Sequence, residues 1–171
     1  MPGTNLTREE ASARADLVSV ASYDVELDLT TGATTFGTTS RICFSASTTG
    51  AETFVDFVGD SVQSITLNGE ALDPTAHWSD SRIALPGLAT DNDLVVVATG
   101  SYNTGEGLHR FVDPVDGEVY LYSQFEVPDS RRVYAVFEQP DLKATFAFTV
   151  HAPAHWQLVS NSPTPQAGDL A

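Results

Sequence analysis

The feature of this sequence that most restricts its fold is an alternation of apolar and polar residues with a period of two. The clearest segment alternates apolar residues with acidic ones: Tyr23, Asp24, Val25, Glu26, Leu27, Asp28 and Leu29. This pattern indicates a strand with one face in a core and one in water, because successive side chains of a strand point to opposite faces. After residue 20 no long segment has the period of a helix. The chain is therefore predicted to be all-β.

Further segments at 41–45, 54–58, 62–67, 94–98, 119–126, 133–137, 144–150 and 156–160 bring the prediction to about ten short strands. Asn68 and Gly69 stand between two of the apolar stretches and predict a type I′ hairpin turn, because both residues accept a positive φ. The continuous apolar run at 94–98 predicts a strand buried on both faces. We expect a β-sandwich or one curved, multi-stranded sheet.

A short helix is predicted at the front of the chain. Thr7 and Glu10 have the spacing of a capping box, and Glu9 and Glu10 lie in the first turn, where the helix dipole favours carboxylates. The helix should end near Ala15, so that residues 1–16 form a helical lead-in to a single domain of residues 1–171. The proline-rich tail at 160–171 is predicted to be a loop or linker, and we expect a longer protein to be truncated there.

Charge restricts the possible partners. The chain has 23 Asp and Glu against 8 Lys and Arg, a formal net charge of −15. Nucleic acids and anionic membranes bind clustered cations, so neither is an expected partner. No stretch approaches the roughly 20 apolar residues of a membrane span, and no basic and apolar leader is present, so a cytoplasmic location is predicted.

Metal and thiol chemistry find little support in the sequence. The single cysteine, Cys43, excludes an intramolecular disulfide, and its apolar surroundings predict a buried, inert thiol. His151 and His155 have the spacing of a zinc helix, but Ala152 stands where that motif needs glutamate and Pro153 disfavours a helix. We predict no catalytic residue, no metal ligand and no cofactor in this chain.

A candidate binding surface lies on the predicted strand 119–126. The period of two puts Tyr120, Tyr122, Gln124 and Glu126 on one face. A carboxylate there can hold an ammonium group, and the amide beside it can orient or wall a side chain. A solvated strand face would have the same pattern. The arginines and acidic residues of 103–150 could equally form a structural ion-pair network.

Four motifs in this region carry a family resemblance. They are Gly107-Leu108-His109-Arg110, Ser123-Gln124-Phe125-Glu126, Ser130-Arg131-Arg132 and Phe137-Glu138-Gln139-Pro140, followed by Lys143, Ala144 and Phe146. With these motifs in this order, the chain resembles the N-terminal domain of the aminopeptidase N family, the zinc-dependent gluzincin aminopeptidases. The resemblance covers essentially the whole chain and is closest to actinobacterial members. It departs from the family at Ser130 (usually Ala), Val136 (often Cys) and Glu138-Gln139 (usually Asp-Glu), positions that look structural.

The resemblance implies a saddle-shaped, non-catalytic β domain that covers the cleft of a catalytic domain in the same polypeptide. The resemblance also implies that Glu126 helps to bind the α-ammonium group of a peptide with a free N-terminus. It implies that Gln124 lines the pocket for the first side chain of that peptide. The family's zinc motif, H-E-x-x-H, is absent from this chain, so zinc is expected on a downstream domain. Two other functions stay open: a stand-alone β-sandwich binding module, and a chaperone-like factor that shares only this domain.

Overall fold

In the computed structural model, which describes residues 5–162, eleven strands form three sheets. The strands are β1 Val18–Asp28, β2 Thr35–Ala46, β3 Thr53–Asp56, β4 Ser61–Leu67, β5 Glu70–Leu72, β6 Trp78–Ser79, β7 Arg82–Leu85, β8 Asp91–Ser101, β9 Gly107–Val112, β10 Val119–Gln124 and β11 Thr145–His151. The helices are α1 Arg8–Leu17 and the single turn α2 Pro74–His77, with a 3₁₀ turn at Ser130–Arg132. The predicted all-β class is confirmed.

The predicted N-terminal helix is present and is capped as expected. The Thr7 hydroxyl accepts from the Glu10 amide at 3.2 Å, and the Glu10 carboxylate accepts from the Thr7 amide at 2.8 Å. Arg82 of β7 donates to the same carboxylate at 2.6 Å, and its hydrogen bond lowers the pKa of Glu10 to about 2. The first turn of α1 is therefore fixed to β7 by a charged pair.

A six-stranded sheet, in the order β11-β1-β2-β8-β4-β5, supplies most of the core. β11 pairs with β1 in parallel, and the other neighbours are antiparallel. The alternation read from the sequence matches its buried face, which contains Tyr23, Val25 and Leu27 of β1, Ile42 and Phe44 of β2, and Leu94 and Val96 of β8. A three-stranded sheet, in the order β3-β7-β6, contributes Val55, Ile83 and Leu85 to the same core.

The predicted hairpin turn at Asn68-Gly69 is confirmed. Asn68 has a φ of 55° and Gly69 a φ of 83°, and together they connect β4 to β5. Glycine accepts this backbone conformation without strain, and asparagine tolerates it better than most residues.

Burial on both faces was predicted for 94–98, and this is wrong. Leu94, Val96 and Ala98 are buried, but the residues between them are only half-buried. The other face of the sheet meets solvent: Arg41 and Asp93 form an ion pair on it and keep 56% and 45% of their side chains exposed. Cys43 pairs with Asp93 in the same register and is also half-buried, so the predicted buried thiol is wrong for the same reason.

The strand predicted at 133–137 does not form. These residues are buried without extended pairing, apart from one bridge between Val136 and Asp56. Side chains satisfy two of their amides: Ser40 accepts from Ala135 at 3.0 Å, and the Tyr23 hydroxyl accepts from Phe137 at 3.2 Å. The apolar run at 133–137 thus reflects burial of this segment on all sides rather than pairing within a sheet.

The strand predicted at 156–160 is also absent. A turn at residues 154–155 follows β11, and the Trp156 amide donates to the Pro153 carbonyl at 2.9 Å. Of the predicted tail, residues 160–162 lie outside any strand, and 163–171 lie outside the described residues. Residues 1–4 of the predicted lead-in also lie outside them. Within the described part of the chain, no helix is long and apolar enough to cross a membrane.

A buried ion pair joins α1 to the rest of the domain. Arg14 and Asp56 are only 2% and 1% exposed, and their side chains meet at 3.0 Å. Arg14 also donates to the Gln139 amide oxygen at 3.0 Å and lies 4.8 Å from the centre of the Phe54 ring. Burial raises the pKa of the Asp56 carboxyl, and Arg14 and then Arg131, at 4.0 Å, counteract that rise. The pair connects the helix, β3 and the segment around Gln139.

Replacement of Arg14 by methionine should lower the free energy of unfolding by roughly 3 kcal/mol, because Asp56 would keep its buried charge with only the more distant Arg131 as a cation. The matched control is Arg41→Met, which removes the exposed pair with Asp93 and should cost much less. Urea denaturation of both variants measures the difference. Equal costs for the two variants would show that the buried pair has no special importance.

Candidate functional site

The residues predicted to bind a ligand lie on the two-stranded sheet β9–β10. Tyr120 pairs with Phe111, Tyr122 with His109, and Gln124 with Gly107. Since directly paired residues and every second residue share a face, Tyr120, Tyr122 and Gln124 lie on one face, as the sequence predicts. β10 ends at Gln124, so Glu126 follows the strand in a loop instead of continuing its row.

Aromatic side chains cover most of this face. Phe111, Tyr120 and Tyr122 are 47–55% exposed, and the rings of His109 and Tyr122 stack with centroids 4.3 Å apart. The Tyr120 hydroxyl donates to Asp116 at 2.9 Å, which orients that ring at the far end of the hairpin. Gln124 is half-buried at the other end. The face therefore offers an apolar surface with an amide at its edge.

Glu126 has an exposed carboxylate. Its side chain makes no hydrogen bond or ion pair with any described residue, whereas its carbonyl accepts from the Asp129 amide at 2.8 Å. The backbone of this residue is thus held while the charge stays available. A positively charged group is the natural ligand for such a carboxylate.

Phe125, between Gln124 and Glu126, packs against the domain. Its ring contacts Tyr134 edge-on with centroids 5.7 Å apart, and Tyr134 also meets Phe146 and Phe148 of β11. Tyr134 is buried, and burial raises the pKa of its hydroxyl to about 12. Phe125, between the two candidate ligand-binding residues, is therefore fixed against the buried ring of Tyr134.

The segment after Glu126 is held by Arg131. This guanidinium is 3% exposed and donates to the Pro128 carbonyl at 2.9 Å and to the Asn5 side chain at 2.9 Å. The Arg131 amide donates to the Glu138 carboxylate at 2.7 Å. The peptide bond between Val127 and Pro128 is cis.

Arg132 binds two carboxylates at once. Its Nε lies 2.8 Å from Asp129, and its Nη2 lies 2.8 Å from Glu106, the residue before β9. Within 103–150, an ion-pair network is found for Arg132, whereas Arg131 pairs with Asp56 outside that range and Glu126 takes no part. No spacing in the sequence indicates the pairing of Arg132 with Glu106.

An open cavity of about 440 Å³ lies elsewhere. Leu29, Tyr102, Arg110 and Trp156 are among the residues that line it, and Arg110 lies over the Tyr102 ring at 5.9 Å. Neither Gln124 nor Glu126 lines it. The hairpin and the loop after it remain the candidate site.

Metal ligands do not converge in the described residues. Between residues 5 and 162, no three His, Cys, Asp or Glu side chains are placed to hold one ion. His151 lies in β11 and contacts Glu26 at 2.7 Å, whereas His155 lies in a turn against Trp156. The exposed Glu126 carboxylate and the aromatic face beside Gln124 can instead bind and orient a cationic, partly apolar ligand.

Sequence comparison gives two related findings. Residues 96–171 match the family model of the peptidase M1 N-terminal domain. The chain is also 59% identical to aminopeptidase N of Streptomyces lividans over 174 residues, which is 99% of this chain and 20% of that protein. The chain therefore spans about a fifth of the length of this relative.

Solved structures share the fold. Yeast LTA4 hydrolase has a TM-score of 0.67 and 18% identity, with 82% of this chain and 23% of that chain covered. Aminopeptidase A of Legionella pneumophila has a TM-score of 0.64 and 17% identity, with 78% and 16% covered. At these identities the likeness establishes the fold alone.

Gly107 offers a test of the packing under Gln124. It has a φ of 71°, and an added Cβ would lie 2.8 Å from the Cβ of Arg132. Gly107→Ala should therefore lower the free energy of unfolding by more than Gly69→Ala, which has a φ of 83° but open space around it. We expect a difference of at least about 1 kcal/mol by urea denaturation. Equal losses would mean that Arg132 moves aside freely.

Proposed function

The chain belongs to the M1 peptidase family, as an N-terminal domain, and we propose that it anchors the free α-amino group of peptide substrates in a zinc aminopeptidase. The observation that carries this proposal is the exposed Glu126 carboxylate, whose backbone is held while its charge has no partner among the described residues. An exopeptidase has to recognise the terminal ammonium group, because that charge distinguishes the chain end from the chain interior.

Glu126 acts in this proposal by position and charge. A carboxylate in a cleft closed by a second domain attracts an ammonium group more strongly than one in water, since the effective dielectric constant is lower there. When the ammonium group is fixed, so is the distance from it to the scissile carbonyl. That is a contribution to orientation, and no bond is made or broken by this domain.

Gln124 contributes selectivity for the first residue of the substrate. Its half-buried amide stands two residues from Glu126 and at the edge of the aromatic face formed by His109, Phe111, Tyr120 and Tyr122. A first side chain directed along this strand would contact the amide before the rings. We therefore propose Gln124 as a wall of the pocket for that side chain.

Zinc, in this proposal, is held by the rest of the polypeptide. The described residues do not fit a zinc site, because no set of three ligand side chains converges in them. The partners proposed here are the catalytic domain of the same polypeptide and peptides with a free N-terminus. The lack of nucleic-acid or membrane partners remains a prediction supported by the net charge of −15, and the cytoplasmic location remains a prediction.

No specific observation favours either a stand-alone binding module or a chaperone-like factor. The long match to a peptidase over 99% of the chain supports a role within such an enzyme instead.

The test is Glu126→Gln in the full-length protein. Loss of the charge should lower kcat/KM for aminoacyl substrates by about 10- to 100-fold, the equivalent of one charge-assisted hydrogen bond. The matched control is Glu118→Gln, which removes an exposed carboxylate from the turn of the same hairpin and should leave the kinetics unchanged. If the two variants behave alike, Glu126 does not bind the substrate.

A further inference from the structure

We propose that Arg132 is a positioning residue, which fixes the relative positions of Gln124 and Glu126 by joining the two chain segments at the open end of the β9–β10 hairpin. This inference rests on the proposed function, because it concerns the same substrate-binding residues. Arg132 itself makes no hydrogen bond or ion pair with either of these side chains. It acts through the backbone on which they stand.

The two partners of Arg132 lie on either side of the hairpin's open end. Glu106 directly precedes β9, and Asp129 lies three residues beyond Glu126 in the segment that leaves β10. Arg132 contacts both carboxylates at 2.8 Å. One guanidinium therefore joins the chain that enters the hairpin to the chain that leaves it, where the strand pairing ends.

A short path of contacts leads from Arg132 to each substrate-binding residue. Asp129 accepts from Arg132 through its side chain and donates through its amide to the Glu126 carbonyl at 2.8 Å. On the other side, Arg132 packs on Gly107, and Gly107 is the strand partner of Gln124. Each substrate-binding residue is thus separated from Arg132 by a single intermediate residue.

Arginine is chemically suited to hold two carboxylates at once. A planar guanidinium can bind two separate carboxylates along different edges, which a lysine ammonium on a flexible stem does with much less geometric definition. Glu106 is 53% exposed, so its ion pair with Arg132 adds little to overall stability. Asp129 is only 12% exposed, so loss of its pair with Arg132 should lower the stability of the fold as well as move the loop.

The experiment compares Arg132→Gln with Arg41→Gln in the full-length protein. Arg41 is the matched control, because it also contacts a carboxylate, Asp93, by two bonds of 2.9 Å, but on the exposed face of the large sheet. The probes are leucine hydroxamate and 4-methylpentanohydroxamic acid, which differ only in the α-amino group. Kinetics, inhibition constants and thermal unfolding are measured for each variant.

Arg132→Gln should weaken inhibition by leucine hydroxamate about tenfold, with a rise in KM. Its thermal midpoint should lie below that of Arg41→Gln, because Asp129 is only 12% exposed and loses its cationic partner. The probe without the amino group should bind both variants equally well. Arg132→Lys, which keeps the charge, should recover part of the loss. An Arg132→Gln enzyme that matches Arg41→Gln, or that loses affinity for both probes alike, would overturn the positioning role.

Glu126→Gln, measured in parallel, separates this inference from the proposed function. If Glu126→Gln selectively weakens leucine hydroxamate while Arg132→Gln does not, the positioning role is wrong and the amine anchor stands. If Glu126→Gln has no selective effect, the amine anchor itself is wrong, and the positioning role fails with it. In the double variant, the Arg132 change should add almost nothing to the effect of Glu126→Gln, because both act on the same contact.

Discussion

The fold depends on the neutralisation of one buried charge. Asp56, the last residue of β3, is only 1% exposed, and an isolated carboxylate there would cost several kcal/mol relative to water. Arg14 supplies the opposite charge from α1, and Arg131 approaches from the segment after β10. Because these cations come from regions far apart in the chain, the requirement to pair Asp56 brings the helix, β3 and the loop behind Glu126 together.

The contrast between Asp56 and Glu126 explains how a strongly acidic chain can present one useful carboxylate. Asp56 is enclosed and has cationic partners, so it can contribute only to structure. Glu126 is exposed, with its charge unshared among the described residues, yet the residues on either side of it are held by Tyr134, Asp129 and Arg131. A rigid backbone below an unpaired charge is the arrangement expected of a binding group.

Sequence predicted the elements whose signals are local. The alternation in β1, the capping box of α1 and the Asn68-Gly69 turn each depend on residues within a few positions of one another, and all three are found in the structure. The wrong predictions concern segments whose conformation depends on contacts with distant parts of the chain. Residues 133–137 have the composition of a strand, but Ser40 and Tyr23 satisfy two of their amides.

The candidate site shows the same division. The common face of Tyr120, Tyr122 and Gln124 follows from the period of a strand and could be predicted. The end of β10 before Glu126, and the contact of Arg132 with Glu106, depend on how the following segment folds back. No spacing in the sequence encodes that return path.

The parallel pairing of β1 with β11 has a consequence for biosynthesis. Ser22 is in register with Thr145, and Asn5 contacts Arg131 across 126 residues of chain. Contacts of such high sequence separation slow folding, because the intervening chain has to be ordered before they form. On the ribosome, the first strand has to wait with one edge unpaired until β11 has left the exit tunnel. During that interval Tyr23 lacks the Phe146 ring that stacks on it at 4.4 Å, so the apolar surface of this strand stays uncovered until β11 has been made.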